Sequence, residues 1–289
     1  MFRASWATVA AFLSLALTCL FVFRVVPVAI AVVGSFYGES LTGEPVFKGL
    51  GNFLDLFADQ EFRDGVVRTL VFNILVNPIQ IGIAFFLAIL VLNPTKAAKF
   101  FRVALFLPMC ISLALASVLW SILLDPSLGL VNGLLSALGA DRQLFFRSEG
   151  QALWSLILLA TWKSVGYWMI FLLAGLVAIP SDIYEAASLD GATGWRAFTK
   201  ITLPLMKRPL LFVLVADTTA NFLFFAPVYL ITGGGPNNST NFLMFQAYRS
   251  SFVLVDHGRS LAISTIILLM IGAVAALEFR LFRADPKQG

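Results

Sequence analysis

Six long apolar runs dominate this sequence, at about 9–34, 70–92, 103–124, 152–178, 209–231 and 260–282. A helix needs about 20 mostly apolar residues to cross the hydrocarbon of a bilayer, and each run approaches or exceeds that length. The runs are continuous and show no period-two alternation, so helices are predicted rather than barrel strands. Gly, Pro, Asn and Asp punctuate the intervals, as loops require. The expected fold is an all-α membrane protein with about six transmembrane helices.

Composition agrees. Of 289 residues, 59% are hydrophobic and 12% charged, and mean hydropathy is +0.89. A soluble domain carries about twice that charge fraction. Twenty-eight Phe residues exceed what one soluble core can hide without large apolar patches outside. The net charge of +4 is therefore no footprint of nucleic acid, and its meaning lies in where Lys and Arg sit. Cys19 and Cys110 fall inside apolar runs and read as small buried hydrophobes, not a disulfide framework. His257 has no Cys or His beside it, so no metal site is expected. Arg3 precedes an apolar stretch from about Ala7 to Phe36, longer than a signal-peptide core, and a retained helix is expected there.

Basic residues set the orientation. With both termini cytoplasmic, the inner segments hold Arg3, then Lys96, Lys99 and Arg102, then Arg196, Lys200, Lys207 and Arg208, and finally Arg280, Arg283 and Lys287. The longer outer segments hold Lys48, Arg63, Arg68, Arg142, Arg147, Arg249 and Arg259. Eleven against seven favours both termini inside. Arg24, Lys163 and one acid, Asp217, fall within spans. Charges at that depth face a bundle interior or water. For Lys163 a structural pairing and a cavity role both stand.

The inner loop between the fourth and fifth runs is not featureless. Asp182 and Glu185 have the spacing of a capping box after Pro180. Glu185-Ala186-Ala187-Ser188-Leu189 then forms a short helix that Gly191 stops. Thr193 opens a second helix, which Pro204 ends or redirects. An exposed helix of this kind either lies on lipid headgroups or docks into another protein. Asp182, Glu185 and Asp190 would face an anionic leaflet in the first arrangement, which favours the second.

Glu185-Ala186-Ala187, three residues, Gly191, nine residues, Ile201, one residue, Leu203-Pro204 resembles the signature of the membrane subunits of binding-protein-dependent ABC importers, with no departure in spacing. Ala174-Gly175-Leu176, Ile179-Pro180, Leu189-Asp190-Gly191-Ala192 and Thr232-Gly233-Gly234-Gly235-Pro236 with Thr240 make it similar to the carbohydrate-uptake branch, and within it to maltose and glycerol-3-phosphate permease first subunits. The resemblance covers roughly residues 65–285. It implies an N-terminal span and outer loop over 1–69, a permease core over 70–285 with the signature loop at 179–207, and a short cytoplasmic tail at 286–289.

The resemblance further implies that the loop is a coupling helix docked on a separate ATPase. Glu185 would be a polar contact to that ATPase, Ala186 and Ala187 would permit close approach, Gly191 would make the turn, and Asp190 would belong to the same set coupling to the ATPase. It implies a second homologous permease, two ATPase subunits that carry ATP and Mg, and a periplasmic or lipid-anchored solute-binding protein. The setting would be the inner membrane of a bacterium or archaeon, and the solute a sugar or sugar derivative. The chain itself would bind no cofactor and would not be an enzyme. In agreement, none of its seven lysines follows a glycine, so no Walker phosphate loop is present. An importer for a non-sugar solute and an ion-coupled secondary transporter are the alternatives.

A sugar pathway needs hydrogen-bonding groups and aromatic faces at membrane depth. The fifth run offers Asp217, Thr218, Asn221, Phe224 and Phe225, the last three at spacings that share one helical face. The second offers Asn73, Asn77 and Gln80, and the fourth Trp162, Tyr167 and Trp168. Each set also reads as polar glue between helices. The Gly233-Gly234-Gly235-Pro236 turn is a candidate contact for the binding protein, or simply a tight turn.

Overall fold

The computed structural model describes residues 6–39 and 44–281; Arg3, Arg283, Lys287 and the 286–289 tail lie outside them. In chain order, α1 (Trp6–Leu20) and α2 (Val26–Gly34) flank a π-helical turn at Phe21–Val25. Strand β1 (Tyr37–Glu39) pairs antiparallel with β2 (Pro45–Phe47), Tyr37 opposite Phe47. This small ladder is an addition to the all-α expectation. There follow α3 (Gly51–Ala58), α4 (Gln60–Leu90), α5 (Lys96–Cys110), α6 (Leu113–Leu123), α7 (Leu130–Ala137) and α8 (Glu149–Val177). The signature loop holds α9 (Ser181–Leu189), α10 (Gly194–Ala197) and α11 (Leu203–Leu205); then come α12 (Lys207–Phe222), α13 (Leu243–Phe252) and α14 (His257–Leu281).

Among the described residues, four helical segments are long and apolar enough to cross a membrane: Leu13–Gly34, Gln60–Leu90, Glu149–Val177 and His257–Leu281. The bent pair α5 and α6 makes a fifth if taken as one span. Two of the six predicted runs therefore differ from straight helices, each for a local reason.

The 103–124 run bends by 100° between α5 and α6. Ile111 and Ser112 are extended, with ψ of 147° and 149°. Ser112 Oγ accepts the Leu115 N–H at 3.2 Å and so caps α6. The 209–231 run stops at Phe222. Pro227 has no N–H to return to the Leu223 carbonyl, and the chain passes Phe224 and Phe225 irregularly, becomes helical again at Ala226 and enters a π-helical turn at Val228–Thr232.

Two compact units divide the chain. The first takes the described residues up to Asp64 together with Gln246–Leu269. Within it Asn52 Nδ2 donates to the Ser35 and Tyr37 carbonyls at 2.9 and 2.7 Å, tying α3 to the turn after α2. Arg259 pairs with Asp59, and Arg249 with Glu61 at 2.9 Å. The second unit takes residues 65–245 and the rest of α14. It holds two apolar clusters. One gathers Phe72, Trp120, Leu156, Phe224 and Phe242; the other gathers Ala84, Ala88, Trp168, Met169, Leu172 and Met206.

Lipid removes the hydrophobic drive between helices, so close approach and polar bonds must hold such a bundle. At Gly166 a Cβ would collide with the Leu105 carbonyl oxygen, so α8 and α5 touch backbone to backbone. Outward-facing Phe23, Phe86, Phe100 and Leu269 are largely exposed, a surface suited to acyl chains, and Cys19 and Cys110, expected to be buried, are exposed as well.

Candidate functional site

Helix α9 forms because Ile179-Pro180 ends α8 and leaves Pro180 extended (ψ 138°) at the N-cap. No side chain caps it, which corrects the capping-box expectation. The helix begins at Ser181, two residues before the start an Asp182 N-cap would give, so Asp182 sits in its first turn, where its charge complements the dipole. The far end follows expectation. Gly191 has φ +74°. Its N–H donates to the Ser188 carbonyl at 3.1 Å, and the Ala192 N–H to the Ala187 carbonyl at 2.9 Å. That pair of bonds is a Schellman motif, for which a left-handed glycine is the preferred residue. A Cβ on Gly191 would meet nothing within 4 Å, so the backbone angle, not crowding inside this chain, calls for glycine.

Glu185, Ala186, Ser188, Leu189 and Asp190 are exposed on α9, while Tyr184 and Ala187 are half-buried on its inner face. The two alanines of the signature thus point to different sides. Tyr184 Oη lies 2.9 Å from Thr202 Oγ1. Thr193 is the N-cap of α10, again without a side-chain bond, and Pro204 lies in the first turn of α11, where the chain redirects into α12.

At membrane depth a polar cluster joins α4, α12 and α14. Asn77 Nδ2 donates to Thr218 Oγ1 at 2.7 Å, and Thr218 Oγ1 donates to Glu278 Oε1 at 2.8 Å. Asn221 Nδ2 donates to Asn77 Oδ1 at 2.7 Å and to Gln80 Oε1 at 2.9 Å. All five residues are buried. Asp217, 1% exposed, accepts the Trp168 Nε1–H at 2.6 Å. Gln80 Nε2, Asp217 Oδ2 and Glu278 Oε2 are buried without a hydrogen-bond partner. Asn77 and Gln80 meet Asn221 together, whereas Asn73 donates to the Thr69 carbonyl of its own helix at 2.9 Å.

The rest of the expected pathway is dispersed. Asn221, Phe224 and Phe225 do not share a helical face, because α12 ends at Phe222. Phe224 packs on Phe72 at 5.0 Å and Phe225 stacks on Tyr229 at 5.4 Å. Trp162 meets Trp120 edge-on at 5.7 Å, whereas Tyr167 lies against Trp168 at 4.8 Å in the other cluster. Lys163 Nζ donates to the Met109 carbonyl at 3.1 Å, satisfying an orphan acceptor at the end of α5. Of its two open roles the structural one is observed. Arg24 is exposed among apolar neighbours.

Gly233 and Gly234 have φ of +57° and +84°, and Gly234 is buried against Phe245, leaving 2.7 Å to a Cβ. Thr240 Oγ1 bonds the Gly235 carbonyl and Thr232 Oγ1, both at 2.8 Å. Gly235 and Pro236 are half-buried. The turn is thus tightly built, and the exposed residues beside it are Gly233, Asn237 and Asn238.

Sequence reasoning missed two partners. Glu278 is a second acid within a predicted span, and an acid at that depth was itself the available signal. Trp168 as the donor to Asp217 is 49 residues away, and no spacing rule connects them.

A family profile and the sequence relatives point to one family. A family profile described as "binding-protein-dependent transport system inner membrane component" matches residues 61–283. The sn-glycerol-3-phosphate transport system permease protein UgpA of Yersinia pseudotuberculosis is 35% identical over 235 residues, covering 81% of this chain and 80% of the relative. The UgpA protein of Brucella abortus is 34% identical over 266 residues, covering 91% and 90%. A chain from the crystal structure of a bacterial ABC transporter involved in the import of the acidic polysaccharide alginate superposes with a TM-score of 0.83 at 23% identity, covering 96% of each chain. At that identity the likeness concerns the fold.

Proposed function

This chain belongs to the binding-protein-dependent transport system inner membrane components, and from that premise we propose that it is one of two permease subunits of an ATP-driven importer for a sugar or sugar derivative. The observation that carries the reading is α9: a short exposed helix bearing Glu185 and Ala186, stopped by a Schellman turn at Gly191. A rigid, capped helix on a loop suits the transfer of a rigid-body motion. Its exposed Ile183, Leu189 and nearby Trp195 suit a protein groove better than water. The carbohydrate branch rests on the glycerol-3-phosphate relatives.

In this reading six spans cross the inner membrane, with α5–α6 as one bent span and α12 continuing through its break as the fifth. Both termini are cytoplasmic. A second homologous permease completes the pore. Two ATPase subunits bind ATP and Mg, and their closure pushes α9. A periplasmic or lipid-anchored binding protein delivers solute to the outer loops, among them the exposed rim of the Gly233–Pro236 turn. The solute passes near Asn77 and Asn221, whose amides supply the donors and acceptors that hydroxyls require; Asp217, Phe224, Phe225, Trp162 and Tyr167 back this path.

The test is Ala186→Trp. Ala186 is exposed on a regular turn of α9, so the protein inserts at normal abundance, while the bulk obstructs docking and uptake falls at least tenfold. Full uptake by this variant overturns the assignment of α9.

A further inference from the structure

Among the described residues, one side-chain hydrogen bond of α9 reaches beyond the helix: Tyr184 Oη to Thr202 Oγ1, at 2.9 Å. The link that follows α9 contains two left-handed glycines, Gly191 at φ +74° and Gly194 at φ +53°, and neither has an atom within 4 Å of a would-be Cβ. At both glycines the place of a side chain is empty, and the link is held by backbone hydrogen bonds such as Ala192 N–H to the Ala187 carbonyl at 2.9 Å. A force applied to the exposed face of α9 would load those bonds alone unless something bridged the link.

Tyr184 and Thr202 bridge it. Thr202 is buried, and its carbonyl accepts the Met206 N–H at 2.9 Å. Met206 is fully buried, and its Cε would come within 3.0 Å of a Cβ on Gly175 of α8. Four residues before Thr202, Phe198 packs on Phe85 of α4 with centroids 5.9 Å apart. The strut therefore leads from α9 into the cluster that contains α4 and α8.

We propose that Tyr184 and Thr202 are positioning residues, whose hydroxyl pair makes α9 and residues 198–206 one rigid lever and so delivers motion to α4 and α8 across the glycine link. The proposal deepens the coupling reading of α9 and rests on it.

The experiment uses the complete transporter in nanodiscs, with Cys19 and Cys110 replaced by Ser and spin labels at Leu189→Cys on α9 and Phe86→Cys on α4, both exposed positions. Pulsed EPR reads their separation without nucleotide and with ATP, Mg and vanadate. With the strut intact the distribution is narrow and the same in both conditions, because the two labels move together. Tyr184→Phe and Thr202→Val each broaden it about twofold and make it shift with nucleotide, and Thr202→Ser restores the narrow form. A purely local stabilising bond would not produce the nucleotide-dependent shift. Narrow, unshifted distributions in Tyr184→Phe and Thr202→Val overturn the strut. The coupling reading fails separately: the Leu189 label would then gain no immobilisation on assembly with the ATPase subunits.

Discussion

Asn77 on α4 uses both ends of its amide on α12: Nδ2 donates to Thr218 Oγ1 at 2.7 Å, while Oδ1 accepts from Asn221 Nδ2 at the same distance. Asn221 completes the arrangement by donating also to Gln80 Oε1 at 2.9 Å. A single side chain thus satisfies two buried acceptors. Asn221→Ala leaves both unpaired and is expected to cost about 1–3 kcal/mol of stability, read as a lower unfolding temperature in detergent. Thr218→Val is expected to cost a comparable amount, since it strips a donor from Glu278 and an acceptor from Asn77.

The bond from Trp168 to Asp217 links α8 to α12 by one N–H at 2.6 Å. Trp168→Phe keeps most of the ring but strips this donor from a buried acid whose other oxygen has no partner. A double-mutant cycle with Asp217→Leu is expected to give a coupling of about 1–2 kcal/mol. Additivity of the two losses in unfolding measurements would deny the bond a stabilising role.

Backbone contact between α5 and α8 makes a sharp comparison of glycines. Gly166→Ala drives a methyl into the Leu105 carbonyl and is expected to reduce membrane abundance severely. Gly82→Ala, with nothing within 4 Å of its Cβ, is expected to be tolerated. Western blotting of membranes from cells expressing each variant reads the difference.

Asp59 gives a pH dependence with a definite sign. Partial burial alone raises its carboxyl, but the Arg259 guanidinium, the Glu61 N–H and the charge of Arg63 outweigh this and hold it below the ordinary value. A depressed folded value adds stability above the unfolded pKa of about 4 and loses it as pH falls through the folded one. The difference in unfolding temperature between wild type and Asp59→Asn is therefore expected to be constant above about pH 5 and to shrink below about pH 4.

Much of this was legible in the sequence. Apolar length foretold α4, α8 and α14 to within a few residues at most ends, because in lipid a continuous apolar run has few alternatives to helix. The start of α4 at Gln60, ten residues before its apolar run, was not legible, since polar residues outside the bilayer carry no such constraint. Hydropathy also missed the breaks at Ile111-Ser112 and after Phe222. A break costs little when Ser112 caps the next helix and Lys163 takes a stranded carbonyl, yet neither compensation alters mean hydropathy. The signature loop was legible through Gly191, whose φ follows from its place at a helix end. Tyr184 and Thr202 were not, because a bond across 18 residues has no periodicity to announce it.

The central claim is that α9 faces the cytoplasm, where a motor protein is able to reach it. Leu189 is 88% exposed at its end, so a cysteine there, with Cys19 and Cys110 replaced by Ser, reports its side of the membrane to an impermeant maleimide. Labelling in inside-out vesicles and none in right-side-out spheroplasts is the expected result. Labelling from the outer face of intact spheroplasts would contradict the account.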